Sequence, residues 1–478
     1  MLSNIKRLSS AALALMLLLS FSGCKKSEKG TDSSDVEYVY EYVKGSGTAS
    51  GSENTPNTES GDGTASGGGS SSRKNSGTGS NKSTAGGGST GSKVDASKYR
   101  GTTVVYATWK DPDLNEDGVA VKSFKKKYGI DVKIDMINQD TYIQTVASRI
   151  ASGNSPDILF CTGTFPIILQ VMEPIDAMQL DKSDSFWDQS MFKLSTVNGK
   201  TYLANAVGNI WNEVDCLFYS KSLLKKANLY TPAEYAKQGK WTWDTLEHCM
   251  REVGKLGSKY TGGTFEVISL LGSASCSPFT YKNGKFVNDM DNKYTDAMKR
   301  VSTWFKEGIA STNVYDFRVG NAGYAICNAF GLKKTGYFYD SNWADIGCYY
   351  IPDYSASVKA KPTGIVRGWG LAKGAKNPVA AGIFLKHYLD IDNYNVSDAF
   401  INKEAERFFF ELTTGNADKK YFYFNSREDE AVTGLETNIF NHTIVSSDPS
   451  QVAGLLAAQK GAVDNAVNKF NALLAGIK

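Results

Sequence analysis

The stretch TTVVYATW, residues 102–109, decides how the rest of the chain is to be read. It is an apolar, β-branched run, the pattern of a strand buried on both faces rather than half-exposed. The next segments keep the same rhythm. Residues 116–128 place Val121, Phe124 and Tyr128 at helical spacing and stop at Gly129, a C-cap residue. DVKIDMI (131–137) alternates Val132, Ile134 and Met136 as a second strand. TYIQTVASRIASG (141–153) is helical again, with Ile143, Val146 and Ile150 ahead of Gly153, and PDILFC (156–161) is a third strand. The order β-α-β-α-β with right-handed crossovers predicts a parallel sheet with helices on both faces. Ligands of such sheets bind beyond the carboxyl ends of the strands. TWKDPD (108–113) and CTGTFP (161–166) are therefore the loops expected to face a ligand.

Upstream the texture is different. Lys6 and Arg7 precede AALALMLLLS (11–20), an apolar run of signal-peptide length that is too short for a membrane span. Ser22 and Gly23 directly before Cys24 resemble the lipobox of bacterial lipoproteins, although Phe21 stands where that motif usually has Leu. The resemblance implies a signal peptide over 1–23 and a lipid anchor on Cys24, holding the mature protein outside the cytoplasm on the membrane surface. An ordinary secretory cleavage beside a chance cysteine is the alternative. Residues 24–98 are dominated by Gly, Ser, Thr and Asn and cannot bury enough surface to offset their ordering entropy. They read as a flexible tether, of which 44–93 alone would span roughly 40 Å root-mean-square. DVEYVYEYV (35–43) alternates like a strand but has nothing to pair with.

The 478 residues suffice for two or three domains, here expected within 99–478. Net charge is only +3, and the basic residues are scattered, so no nucleic-acid partner is expected. Cys161, Cys216, Cys249, Cys276, Cys327 and Cys348 form no CxxC pair, and several sit in apolar runs. Export permits disulfides, but buried free thiols are the reading favoured here. His248, His387 and His442 lie far apart in sequence, which gives a metal site or a catalytic triad no support, and no cofactor is expected. NGKTY contains a GKT, but Leu194 stands where a phosphate loop needs its first glycine.

GKWTWDTLEH (239–248) sets two tryptophans beside an acid, as a sugar platform would. From Thr242 onward, however, Trp243, Leu246, Cys249 or Met250, Val253 and Leu256 recur at helical spacing. Thr242 then takes the N-cap, Asp244 the first turn, and Trp241 the position of a hydrophobic staple. The pair is a helix start. Trp187 and Trp304 are expected in cores, Trp304 on an amphipathic helix.

VVYATWKDPD, SFKKKYGIDVKID, ASGNSPDILF, NGKTYLANAVGNIWNEVDCLFYSKSLLKKANL, GKWTWDTL, GYAICN, IGCYYIPDY and RGWGLAKGAKNPVAAGIFLKHYL succeed one another in an order that resembles the extracellular solute-binding proteins of family 1, which feed ABC importers for sugars. The resemblance implies an α/β fold of two periplasmic-binding-protein-like lobes, each a sheet flanked by helices, with a hinge between them. Lobe one would hold about 99–208 and 350–385, and lobe two about 209–349 and 386–478. Beyond 395 the likeness fades, and ERFFFELTTGNADKKYFYFNSREDEAVT has no counterpart.

The candidate ligand residues lie at strand ends and at the crossing between lobes. Trp109, Lys110 and Asp111 come after strand one, where the family commonly contacts a sugar; an indole stacks on a pyranose and a carboxylate accepts from hydroxyls. A half-buried Trp beside a turn-forming Asp-Pro is the competing reading. Thr164 and Phe165 come directly after strand three. Asn209, Trp211 and Glu213 alternate at the interlobe crossing and so share a face. Trp369 resembles a family aromatic, with Arg367 pointing the same way, although Gly368 and Gly370 could simply allow close strand packing. Phe330 and Trp343 are weaker aromatic candidates. The expected function is capture of a sugar, an oligosaccharide, by a monomer that delivers it to an ABC permease without covalent chemistry. A secreted aromatic-rich glycoside hydrolase would need two carboxylates at a defined separation, for which there is no signature. A surface adhesin would show repeats or β-sandwich spacing, and neither is visible. A non-sugar polar solute stays open.

Overall fold

Residues 94–110, 112, 118–209, 214–394, 396, 399–414, 421–423, 435 and 445–477 are described in a computed structural model of the chain. The expected signal peptide, Cys24 and the tether up to residue 93 lie outside the described residues, as do the candidates Asp111, Trp211 and Glu213.

The opening run is strand β1 (Thr103–Thr108), followed by helix α1 (Gly118–Tyr128), β2 (Asp131–Met136), α2 (Tyr142–Ala151) and β3 (Ile158–Thr162), with a short β4 (Met172–Glu173) after it. β1 pairs in parallel with both neighbours, Thr103 facing Asp131 and Tyr106 facing Ile158. Its two faces feed two different cores. Val104 and Tyr106 join one buried cluster and Ala107 the other, which is why no polar alternation marks the strand. Gly129 ends α1 at φ +67°, the left-handed conformation a C-cap glycine supplies. Met136 departs from expectation, being 47% exposed, because β2 is the outermost strand of the sheet.

The chain then crosses to a second sheet. It builds β5 (Asp215–Ser220), α3 (Trp243–Gly254), β6 (Thr261–Phe265), α4 (Asn292–Lys306), β7 (Ala310–Ser311), β8 (Ala322–Asn328) and β9 (Ile346–Tyr349). The strand order is β7-β6-β8-β5-β9, with β5 antiparallel to both β8 and β9. Returning, the chain inserts β10 (Arg367–Ala372) antiparallel between β3 and β4, so the first sheet reads β2-β1-β3-β10-β4. Trp369 exchanges backbone hydrogen bonds with Ala204 at 2.8 and 2.9 Å. A Cβ on Gly370 would lie 2.4 Å from the Tyr202 carbonyl oxygen, so this glycine is required by close backbone packing. Helix α5 (Pro378–Leu389) comes next. Its start is fixed by buried Asp157 of the PDILFC run, whose carboxylate accepts from the backbone N–H groups of Val105, Lys376 and Asn377 at 2.8–2.9 Å.

Helices α6 (Lys403–Thr414) and α7 (Val452–Gly476) complete the fold. Phe409 and Leu412 of α6 join the core on one face of the second sheet, while Phe470 of α7 packs on Phe279 and Phe286 of the hairpin 279–288. The tryptophan pair is a helix start, as its spacing predicts. Trp243 is fully buried and opens α3, and Trp241 is 5% exposed with its indole N–H donating to the Tyr350 carbonyl. Thr242 holds the N-cap position, but its side chain makes no capping bond. Asp244 pairs with Arg300 at 2.6 Å. Trp187 and Trp304 are core residues, and the six cysteines beyond residue 99 are all buried free thiols.

Candidate functional site

At one end of the first sheet the carboxyl ends of β1, β2 and β3 meet the amino end of β10, because Thr162 lies opposite Arg367. Phe160 is the hub there. Its ring stands 5.6 Å from that of Trp109 and 5.1 Å from that of Trp369, and the Arg367 guanidinium carbon lies 5.2 Å from its centroid. Trp109 is half-buried and touches both cores. Thr164 is buried at the same edge, its hydroxyl 3.5 Å from the Cys161 sulfur.

Two candidates are placed otherwise than their sequence context suggests. Trp369 is 2% exposed, and its indole N–H donates to the Tyr106 hydroxyl at 2.9 Å. All six residues of β10 are buried, and Arg367, 8% exposed at its amino end, lies over the Phe160 ring. Trp369 offers no ring face to a solute. Asn209 is fully buried, and its amide donates to the Leu389 carbonyl at 3.1 Å, tying the first crossing to the end of α5.

In the second sheet the carboxyl ends of β6, β8 and β9 share an edge with the amino end of β5, where Asn328 lies opposite Asp215. Phe330 is half-buried just beyond β8, edge-on to Tyr337 at 5.5 Å. A pocket of about 440 Å³ opens at this edge, lined among others by Asp215, Trp241, Tyr349, Tyr350, Asp353 and Lys359. Burial, then neighbouring Glu411, holds the Tyr350 phenol above its ordinary range, so it stays protonated and donates to Glu411 at 2.7 Å. The two halves of the molecule touch where Phe165 meets Tyr281 of the hairpin, ring centroids 6.1 Å apart.

Sequence reasoning passed over Phe160 and Asp215. Asp215 continues the alternation of 209, 211 and 213 by one step, a signal that was there to use. Nothing in the sequence marks Phe160 as more than a core residue. Among the described residues no group of three or more His, Cys, Asp or Glu side chains could hold a metal ion, and no helix is long and apolar enough to cross a membrane.

The model of the family described as bacterial extracellular solute-binding protein matches residues 100–393, well over half of the chain. The chain belongs to that family. No curated protein matches the sequence significantly. Solved structures do resemble this solute-binding protein in fold. The extracellular solute-binding protein from Staphylococcus aureus in complex with maltose is 16% identical with a TM-score of 0.58, over 77% of this chain and 98% of that one. The GacH receptor of Streptomyces glaucescens, solved unliganded and with acarbose, is 15% identical at 0.56, over 76% and 99%. The cyclic alpha-maltosyl-1,6-maltose binding protein from Arthrobacter globiformis is 12% identical at 0.56, over 78% and 99%. At such identities the likeness establishes the fold, two α/β lobes, and the family places the protein outside the cytoplasm.

Proposed function

We propose that this solute-binding protein captures an oligosaccharide between the carboxyl edges of its two sheets and delivers it to an ABC permease, with no covalent chemistry of its own. The observation that carries the reading is the half-buried indole of Trp109, supported from below by Phe160, at the one edge of the first sheet where a ligand is expected. Structures of the same fold were solved with maltose and with acarbose, which agrees with a sugar. Trp109, Asp111, Thr164 and Arg367 would serve from the first lobe, and Trp211, Glu213 and Phe330 from the crossing and the second lobe. Trp369 and Asn209 support the site from beneath. The protein works as a monomer, anchored through acylated Cys24 and a tether over 24–98.

The test is a thermal-shift screen of the mature chain against mono- and oligosaccharides, with calorimetry and a product assay on each hit. A sugar that raises the melting temperature by mass action and is recovered intact is the expected result. Trp109→Ala then weakens its binding by about 1–3 kcal/mol, on the scale of aromatic stacking against a planar ligand. Recovery of cleaved sugar would establish a hydrolase instead. A shift with other polar solutes alone would retain the fold and change the ligand.

A further inference from the structure

We infer that the amino edge of the first sheet is a membrane-facing surface that rests on anionic lipid. Exposed cations from three separate segments converge there. Lys98 belongs to the single turn Ala96–Tyr99 through which the chain enters the described fold, and Arg100 caps that turn. Gly101 donates its backbone N–H to the Gly129 carbonyl at 2.9 Å, and a Cβ on Gly129 would lie 3.3 Å from Arg100 Cγ, so Arg100 lies against the end of α1. The last turn of α1 carries exposed Lys125, Lys126 and Lys127. Exposed Lys376 precedes α5 beside Asn377, whose amide donates to the Thr103 carbonyl at the start of β1.

Against these six cations stand Asp95 and Asp131 at the surface, buried Asp157, which accepts from the Lys376 backbone N–H, and half-buried Glu173, which accepts from Gly374. Asp131 pairs with Lys125 at 2.5 Å, and Asp95 accepts from Ser97. Among the described residues, Lys98, Arg100, Lys126, Lys127 and Lys376 make no ion pair. Asp390 and Asp392 belong to the opposite end of α5. Lysines at a helix C-terminus favour its dipole, which accounts for α1 alone. It does not account for cations from the entry turn and from the segment before α5 meeting them.

The location selects the occupant. This inference rests on the reading that the tether joins the fold at this point and is lipid-anchored at its far end. A cluster of four to eight Lys and Arg beside a membrane anchor attracts anionic headgroups, and the attraction fades within a Debye length. The tether would let the domain range tens of ångströms from the bilayer. A weak, salt-sensitive contact raises its concentration at the surface without immobilising it.

The experiment uses the mature chain from residue 24 carrying Cys24→Ser, so that neither the apolar run 11–20 nor an acyl group contributes. Co-sedimentation is measured with vesicles of phosphatidylcholine alone and of phosphatidylcholine mixed with phosphatidylglycerol. The inference expects binding to the mixed vesicles only, weakening as salt rises. K98Q/R100Q/K126Q/K127Q, which leaves the Lys125–Asp131 pair intact, should bind them roughly 10²–10³-fold more weakly, about fivefold for each charge removed. Its melting temperature should match that of the C24S chain, which separates a surface effect from a folding defect. Equal sedimentation with both vesicles, none with either, or full retention by the quadruple variant would overturn it. Failure of the anchor itself is read separately, from the mass of the mature chain extracted from membranes.

Discussion

Three side chains from two segments meet on the ring of Phe160, and they differ in what they leave accessible. Trp109 keeps part of its indole at the surface, whereas Arg367 and Trp369 are 8% and 2% exposed. The buried indole N–H of Trp369 depends on the Tyr106 hydroxyl. Tyr106→Phe removes that acceptor while keeping the ring, so it should cost about 1–3 kcal/mol, the penalty of an unpaired buried donor. Urea unfolding measures the loss, and an unchanged midpoint would show that the bond contributes nothing. Trp109 was legible because it comes directly after a strand whose pattern is unambiguous. Trp369 was a candidate through its resemblance to a family aromatic. Because β10 is buried on both faces, no alternation along it could have announced how deep that indole lies. Asn209 shows another limit: its partner, the Leu389 carbonyl, is 180 residues away, and no local pattern announces such a bond.

Helices α1 and α2 were readable from the spacing of their apolar residues and their glycine stops, and α3 from its spacing alone, because each packs a single stripe against a sheet. Helix α5 has a further property that spacing does not show. His387 is buried on it, with Nε2 2.8 Å from the Ser123 hydroxyl and 3.1 Å from the Ala120 carbonyl, among the rings of Phe124 and Tyr128 on α1. Burial, and then Lys127, holds its pKa below the ordinary 6.5, while the bond to Ala120 opposes the shift. The unfolded chain therefore takes up a proton that the folded chain resists. The contribution of neutral His387 to stability is complete above that ordinary value and is lost as pH falls below it. His387→Gln should flatten the decline in unfolding free energy between about pH 7.5 and 5.5. Identical slopes in denaturant titrations of the two proteins would remove His387 as the cause.

One buried cluster runs through both halves of the molecule, from Leu159 and Cys161 beside the first sheet to Leu217 and Phe265 in the second. The two-lobed arrangement could be anticipated from the order of matching segments, but the roles of α6 and α7 could not, since that part of the chain had no pattern to compare. The arrangement leaves one contact with a functional consequence. Phe165 lies in the loop after β3 and Tyr281 in the hairpin held by α7, and drawing the two carboxyl edges apart is predicted to part their rings. A solute that must touch both edges binds only the arrangement in which the rings meet, and its apparent affinity scales with the fraction of molecules that adopt it. An aromatic pair is worth about 0.5–1.5 kcal/mol beyond the area it buries. Tyr281→Ala should therefore weaken binding of the solute by up to about tenfold, with every residue that touches the solute left in place. The same substitution should raise the radius of gyration of the unliganded protein in solution scattering, and saturating solute should restore it. Weaker binding without that expansion would mean that Tyr281 touches the solute itself, and a change in neither would mean that the Phe165 contact plays no part in closure.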